Sequence, residues 1–143
     1  MEALSIRIFA FIFFISISGV CISSDEGSGD EYSFEHVSTQ DLLFQAYEDD
    51  LESQYQLGLR YENGRGVPKN IKDSLYWYRT AAKRGHVNAK FRLGVLYVEH
   101  AVLFRKEGQI DISKKIYGIG IEWLEDAAEE GHSKAQAKMD GLK

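Results

Sequence analysis

From Leu51 onward, apolar and polar residues follow a helical rhythm instead of a strict alternation. Leu51, Tyr55 and Leu59 fall at four-residue steps leading to Glu62, with Leu57 and Tyr61 beside them, which predicts a first amphipathic helix. Asn63-Gly64-Arg65-Gly66 ends it, and Pro68 sits in the connection, where its missing amide costs nothing. Asn70 is placed to cap a second helix running to about Arg84, with Leu75, Tyr78 and Ala82 on one side and Trp77 and Ala81 adjacent. Gly58 and the Ala81-Ala82 pair read as small surfaces where helices approach closely. A lone hairpin cannot bury both its faces, so the flanks are expected to be helical too. Thr39 to Glu48 supplies Leu42, Leu43, Phe44 and Tyr47 as cover for the first hairpin, and Ser133 to Leu142 opens a further unit ending at Gly141.

The pattern repeats. Leu57-Gly58 and Leu93-Gly94 lie 36 residues apart, whereas Trp77 and Trp123, Ala81-Ala82 and Ala127-Ala128, and Gly85-His86 and Gly131-His132 are each 46 apart. The second unit therefore holds about ten extra residues between its Leu-Gly and Trp landmarks. If its first helix continues past Tyr97 through Lys106 and its second begins at Asp111 or Ser113, Glu107 to Gln109 form the turn. Val98, Val102 and Phe104 or Leu103 would then lie over Ile112, Ile116 and Ile119. Such an insertion is either a taller hairpin with its own core or a protruding tip that docks a partner. Gly118 and Gly120 are read as permitting close helix contact, and His86 and His132, which follow the closing glycines, as serving the repeat. With a single proline in the chain, the fold class expected is all-α, a short solenoid of antiparallel α/α hairpins.

The first unit, through Leu57, Gly58, Tyr61, Gly64, Gly66, Val67, Trp77, Tyr78, Ala81, Ala82 and Gly85, resembles the Sel-one-like repeat, a relative of the tetratricopeptide repeat. It departs at Asn70, where the family prefers Asp. The second unit keeps Leu93, Gly94, Tyr97, Trp123, Ala127, Ala128 and Gly131 but lacks the GxGV turn. The resemblance implies binding to another protein, in roles such as periplasmic signalling regulator, secretion or virulence factor, or immunity protein. Stacked hairpins present a curved surface to a partner, and tyrosine and arginine are favoured at binding centres. The expected contact residues are Gln56, Arg60, Tyr61, Arg92, Tyr97 and Glu99 on the concave side, with Phe104, Arg105 and Lys106 at the hairpin tip.

Before Leu51 the character changes. Ile8 to Ile22 is an uncharged apolar run behind one basic residue, short for a membrane span and suited to a secretory signal. The domain reading is a signal peptide over 1–23, an acidic disordered linker over 24–38 and a repeat domain over 39–143. That domain comprises a regular unit at about 51–86, an extended unit at about 87–132 and a capping helix at 133–142. An uncleaved anchor and acylation at Cys21 are the alternatives for the leader. The expected location is periplasmic or secreted, with no stable membrane insertion after cleavage. From Asp25 to Glu52 there are ten acidic residues and no Lys or Arg, against eleven acidic and sixteen basic from Ser53 onward. The acidic stretch reads as solvated linker, or as a segment folding back over the basic body.

Candidate chemistry is sparse. Cys21 is the only cysteine, so the mature domain has no internal disulfide and no thiolate metal site. His36, His86, His100 and His132 form neither HxxxH nor HExxH, and no Gly-x-Ser-x-Gly elbow occurs. The expectation is no enzyme, no cofactor, no metal and no nucleic acid. A cell-envelope enzyme or cell-wall-fragment binder, with its site between the hairpins, is the alternative.

Overall fold

The computed structural model describes residues 37–142. The expected signal peptide, Cys21 and almost all of the acidic linker lie outside the described residues. The described residues form six helices: α1 (Thr39–Tyr47), α2 (Leu51–Asn63), α3 (Ile71–Lys83), α4 (Val87–Lys106), α5 (Ile110–Glu129) and α6 (Ser133–Asp140). Each packs chiefly on its neighbours in sequence, as expected of stacked hairpins.

Contacts between helix ends show the antiparallel course. Arg60 near the end of α2 donates to Thr39 Oγ1 at the start of α1 (2.7 Å) and to the Val37 carbonyl. Arg84 after α3 meets Asp49 before α2 at 2.9 Å, and Lys90 early in α4 meets Glu130 after α5 at 2.8 Å.

Local chemistry accounts for the helix starts. Ser38, Asp50 and Asn70 each accept a first-turn amide N–H through a side-chain oxygen. His86 and His132 do the same through Nδ1, from the amides of Ala89 (3.1 Å) and Ala135 (3.0 Å). The residue before each of three equivalent caps turns left-handed, with φ of 69° at Asp49, 92° at Gly85 and 87° at Gly131. Asp49-Asp50 is thus the same turn as Gly85-His86 and Gly131-His132, and α1 is the closing helix of a degenerate unit. Gly64 ends α2 with φ 73°, where a side chain would be strained, and Asn70 returns its amide to the Tyr61 carbonyl at 2.9 Å.

Two clusters of buried residues hold the first three helices and α4 together. Tyr78, Ala81, Ala82, Ala89, Leu93 and Leu96 join α3 and α4, with Tyr55, Leu59, Leu75, Tyr97 and Trp123 packed against them. Leu42, Ala46, Leu57 and Trp77 join α1 to the first hairpin, with Val37, Leu43 and Tyr61 alongside. The small residues do what their size implies: a Cβ on Gly58 would lie 2.4 Å from the Tyr78 ring. Gly94 and Gly120 face one another across the α4–α5 crossing, where an added Cβ on Gly94 would meet the Gly120 carbonyl at 2.9 Å.

Four expectations need correction. Of the residues expected to cover the first hairpin, Leu42 is buried and Leu43 half-buried, but Phe44 and Tyr47 are exposed, because no helix among the described residues packs outside α1. Gly118 faces open space, and only Gly120 makes the close contact. Helix α5 begins at Ile110, one residue before the expected Asp111. The taller hairpin lacks the continuous core expected of it, since Val102, Leu103 and Ile112 remain exposed. Of the expected core Val98 is buried; Ala101 and Ser113 are buried beyond it, and the Ser113 hydroxyl donates to the Ala101 carbonyl at 2.7 Å.

Candidate partner-binding surface

On α2, Glu52, Tyr55, Gln56 and Glu62 recur at helical spacing, and each engages a neighbouring side chain. Gln56 donates to Glu52 at 2.7 Å. Because His86 Nδ1 accepts the Ala89 amide, its proton lies on Nε2 and is donated to Glu52 at 3.0 Å. That hydrogen bond holds the Glu52 carboxyl below the ordinary carboxylate value, against the opposing effect of burial. Tyr55 stacks on His86 at 4.7 Å between ring centres, and in the next unit Phe91 stacks on His132 at 4.4 Å.

Toward the other end of α2, Glu62 accepts from the Tyr78 hydroxyl at 2.6 Å and pairs with Arg92 of α4 at 3.6 Å. Burial first, then this bond to a carboxylate, push the Tyr78 phenol far above its ordinary range. Burial opposes the charge of Arg92, but Glu62, together with Tyr78 and Tyr55, outweighs it and raises the guanidinium. This Glu62–Tyr78–Arg92 cluster was not anticipated from the sequence. Its signal was there in Glu62 lying on the otherwise apolar face of α2.

The expected contact residues divide accordingly. Gln56, Arg60, Tyr61 and Arg92 are half-buried; Arg60 anchors α1, and Tyr61 packs in the Trp77 cluster. Tyr97 lies against the larger core, and its hydroxyl receives Arg79, whose guanidinium stands 5.9 Å from the ring centre. Glu99, Arg105 and Lys106 are exposed and Phe104 is half-buried. At the extended hairpin the two helices leave an open groove of about 370 Å³, lined by Ala101, Val102, Arg105, Ile110, Ser113, Lys114 and Tyr117. Of these only Arg105 was expected. Lys114 and Tyr117, three residues apart on α5, were the unread signal.

No group of three or more His, Cys, Asp or Glu among the described residues is arranged to hold a metal, and none of their helices is long and apolar enough to cross a membrane.

The His132 cap makes stability pH-dependent. Burial, chiefly, holds His132 below the ordinary imidazole value of 6.5, and a proton on Nδ1 would abolish its cap. The unfolded chain therefore takes up this proton first as pH falls. The stabilisation is full above about pH 7.5 and declines through 6.5 toward the lower folded value. Thermal unfolding at pH 7.5 and 5.5 should show a smaller acid-induced drop in H132N, which keeps a capping side chain without a titrating ring, than in the wild type. Equal drops would rule out this role.

Two-helix units repeated along the chain, each closed by a turn and a capping side chain, define an α/α-repeat solenoid. The model of the Sel1 repeat matches residues 51–86 and 87–132, and the chain belongs to the Sel1 repeat family. Among solved structures, it is similar to a Sel1 repeat protein from Oxalobacter formigenes, with 31% identity and a TM-score of 0.55 over 70% of this chain. It is also similar, at 28% identity and a TM-score of 0.41 over 67% of this chain, to a protective antigen of uropathogenic Escherichia coli strains displaying an SLR fold. The chain spans only 37% of the first of these and 26% of the second. No curated protein matches it.

Proposed function

We propose that this chain is an exported adaptor, regulator or inhibitor that acts by binding another protein through its repeat domain. Sel1 repeat proteins generally mediate protein–protein interaction. The observation that carries the reading to this chain is the extended hairpin, where Val102, Leu103, Ile110 and Ile112 stay in solvent on well-formed helices. Unburied apolar side chains grouped on one element mark interaction surfaces. Export rests on the apolar run ahead of the acidic stretch.

The test is affinity isolation of the tagged full chain from its own cell, with quantification of what accompanies it. A protein at near-equal amount is expected, and E99K or R105E/K106E should reduce it by about tenfold while the helical signal is unchanged. Arg60 and Arg92 are poor probes, because reversing either would break contacts within the fold. A chain that is recovered alone and turns over cell-wall fragments would sink the proposal.

A further inference from the structure

The groove on the α4–α5 hairpin has a definite chemical character. Its floor is small and buried, with Ala101 and Ser113 tied by their hydrogen bond, while Val102, Ile110 and Tyr117 supply apolar surface. Its charged members are Arg105 and Lys114, and no carboxylate lines it. Both cations are exposed, and neither takes part in the ion pairs found among the described residues. The groove exists because the insertion lengthens both helices, while small residues at the floor leave the space between them unfilled.

Resting on the reading of this chain as a protein-binding repeat, we infer that the groove receives an acidic peptide segment of the partner. A bulky apolar side chain sits between Val102 and Tyr117, and flanking carboxylates meet Arg105 and Lys114. Two like charges with no acidic counterpart select for negative ligands and against basic ones. A concave site with an apolar floor and few polar groups suits an inserted side chain. An anionic membrane fits less well, because the extreme tip is Glu107-Gly108-Gln109, which sets a carboxylate ahead of the exposed Ile110.

The experiment is selection of a phage-displayed library of random 12-residue peptides on the full chain, followed by affinity measurement with synthetic copies of the enriched sequences. Enriched peptides should pair an aromatic or branched aliphatic residue with several Asp or Glu. They should lose about tenfold or more in affinity for R105E/K114E, and weaken with salt. A conservative R105K/K114R variant should retain binding, showing that charge and not a folding defect is responsible. Failure to enrich, enrichment of neutral or basic peptides, or equal binding to R105E/K114E would overturn the inference. So would binding to phosphatidylglycerol vesicles that R105E/K114E abolishes in the absence of peptide binding. If a protein partner is still isolated with the full chain, and R105E/K114E leaves it attached, the groove assignment fails while the protein-binding reading stands.

Discussion

Gly120→Ala should destabilise the domain by about 2–3 kcal/mol, whereas Gly118→Ala, two residues away on the same helix, should stabilise it by about 0.5–1 kcal/mol. At Gly120 a new Cβ would lie 2.9 Å from Val98 Cγ2 and 3.0 Å from both the Gly94 carbonyl oxygen and the Val98 amide nitrogen. Two of those three atoms are backbone, so relief requires α4 and α5 to separate along the crossing that carries Leu93 and Leu124. At Gly118 the same Cβ meets nothing within 4 Å, and alanine reduces the freedom of the unfolded chain. Urea unfolding of the two variants reads the difference directly. Changes of the same sign would mean that the helices do not cross at the Gly94–Gly120 contact.

Trp77→Ala is expected to cost about 3–5 kcal/mol, a large part of the net stability of a small domain. The indole is 6% exposed and belongs to the cluster of Leu42, Ala46 and Leu57 that holds α1 on the first hairpin. Tyr47 and Tyr76 stand edge-on to it at 5.6 and 5.2 Å. Its removal leaves a cavity beside Leu42 in that cluster. Loss of protection against amide exchange should therefore be greatest in α1, beyond the general fall in urea midpoint. Trp77→Phe keeps part of the packing, and should preserve the fold with α1 still the least protected helix. A cost below about 1 kcal/mol for the alanine variant would contradict the packing described.

Why some elements were legible in the sequence and others were not follows from the range of the forces involved. Asn70, the Gly64 turn and the small Gly58 surface act within one hairpin, and each is found in the role its chemistry implies. Asp49-Asp50 lies 36 residues before Gly85-His86, the spacing of the two Leu-Gly landmarks, and its turn is hard to read by eye because a left-handed residue before a cap is a requirement that Asp meets less easily than Gly. What the pattern did not reveal was which apolar residues would find a neighbour. Val102, Leu103 and Ile112 have helical periodicity but lie beyond the reach of the shorter flanking helices, so they stay in solvent.

Among the contact residues, sequence type alone could not separate a free arginine from an anchoring one. Arg60 and Arg105 look alike along the chain. One is bound to Thr39 and the Val37 carbonyl, and the other lines an open groove. The Glu62–Tyr78–Arg92 cluster left only the place of Glu62 on the apolar face of α2 as its signal, and the partners of Glu62 could not be read because they come from two other helices.

Whether the repeat domain is itself the binding surface can be read from amide hydrogen exchange of the full chain, alone and with the protein isolated alongside it. Exchange is expected to slow in the second unit, most strongly in the facing segments of α4 and α5 around Ala101 to Tyr117, with the α1–α3 core little changed. Protection confined to residues before Val37, or absent from every helix, would contradict it.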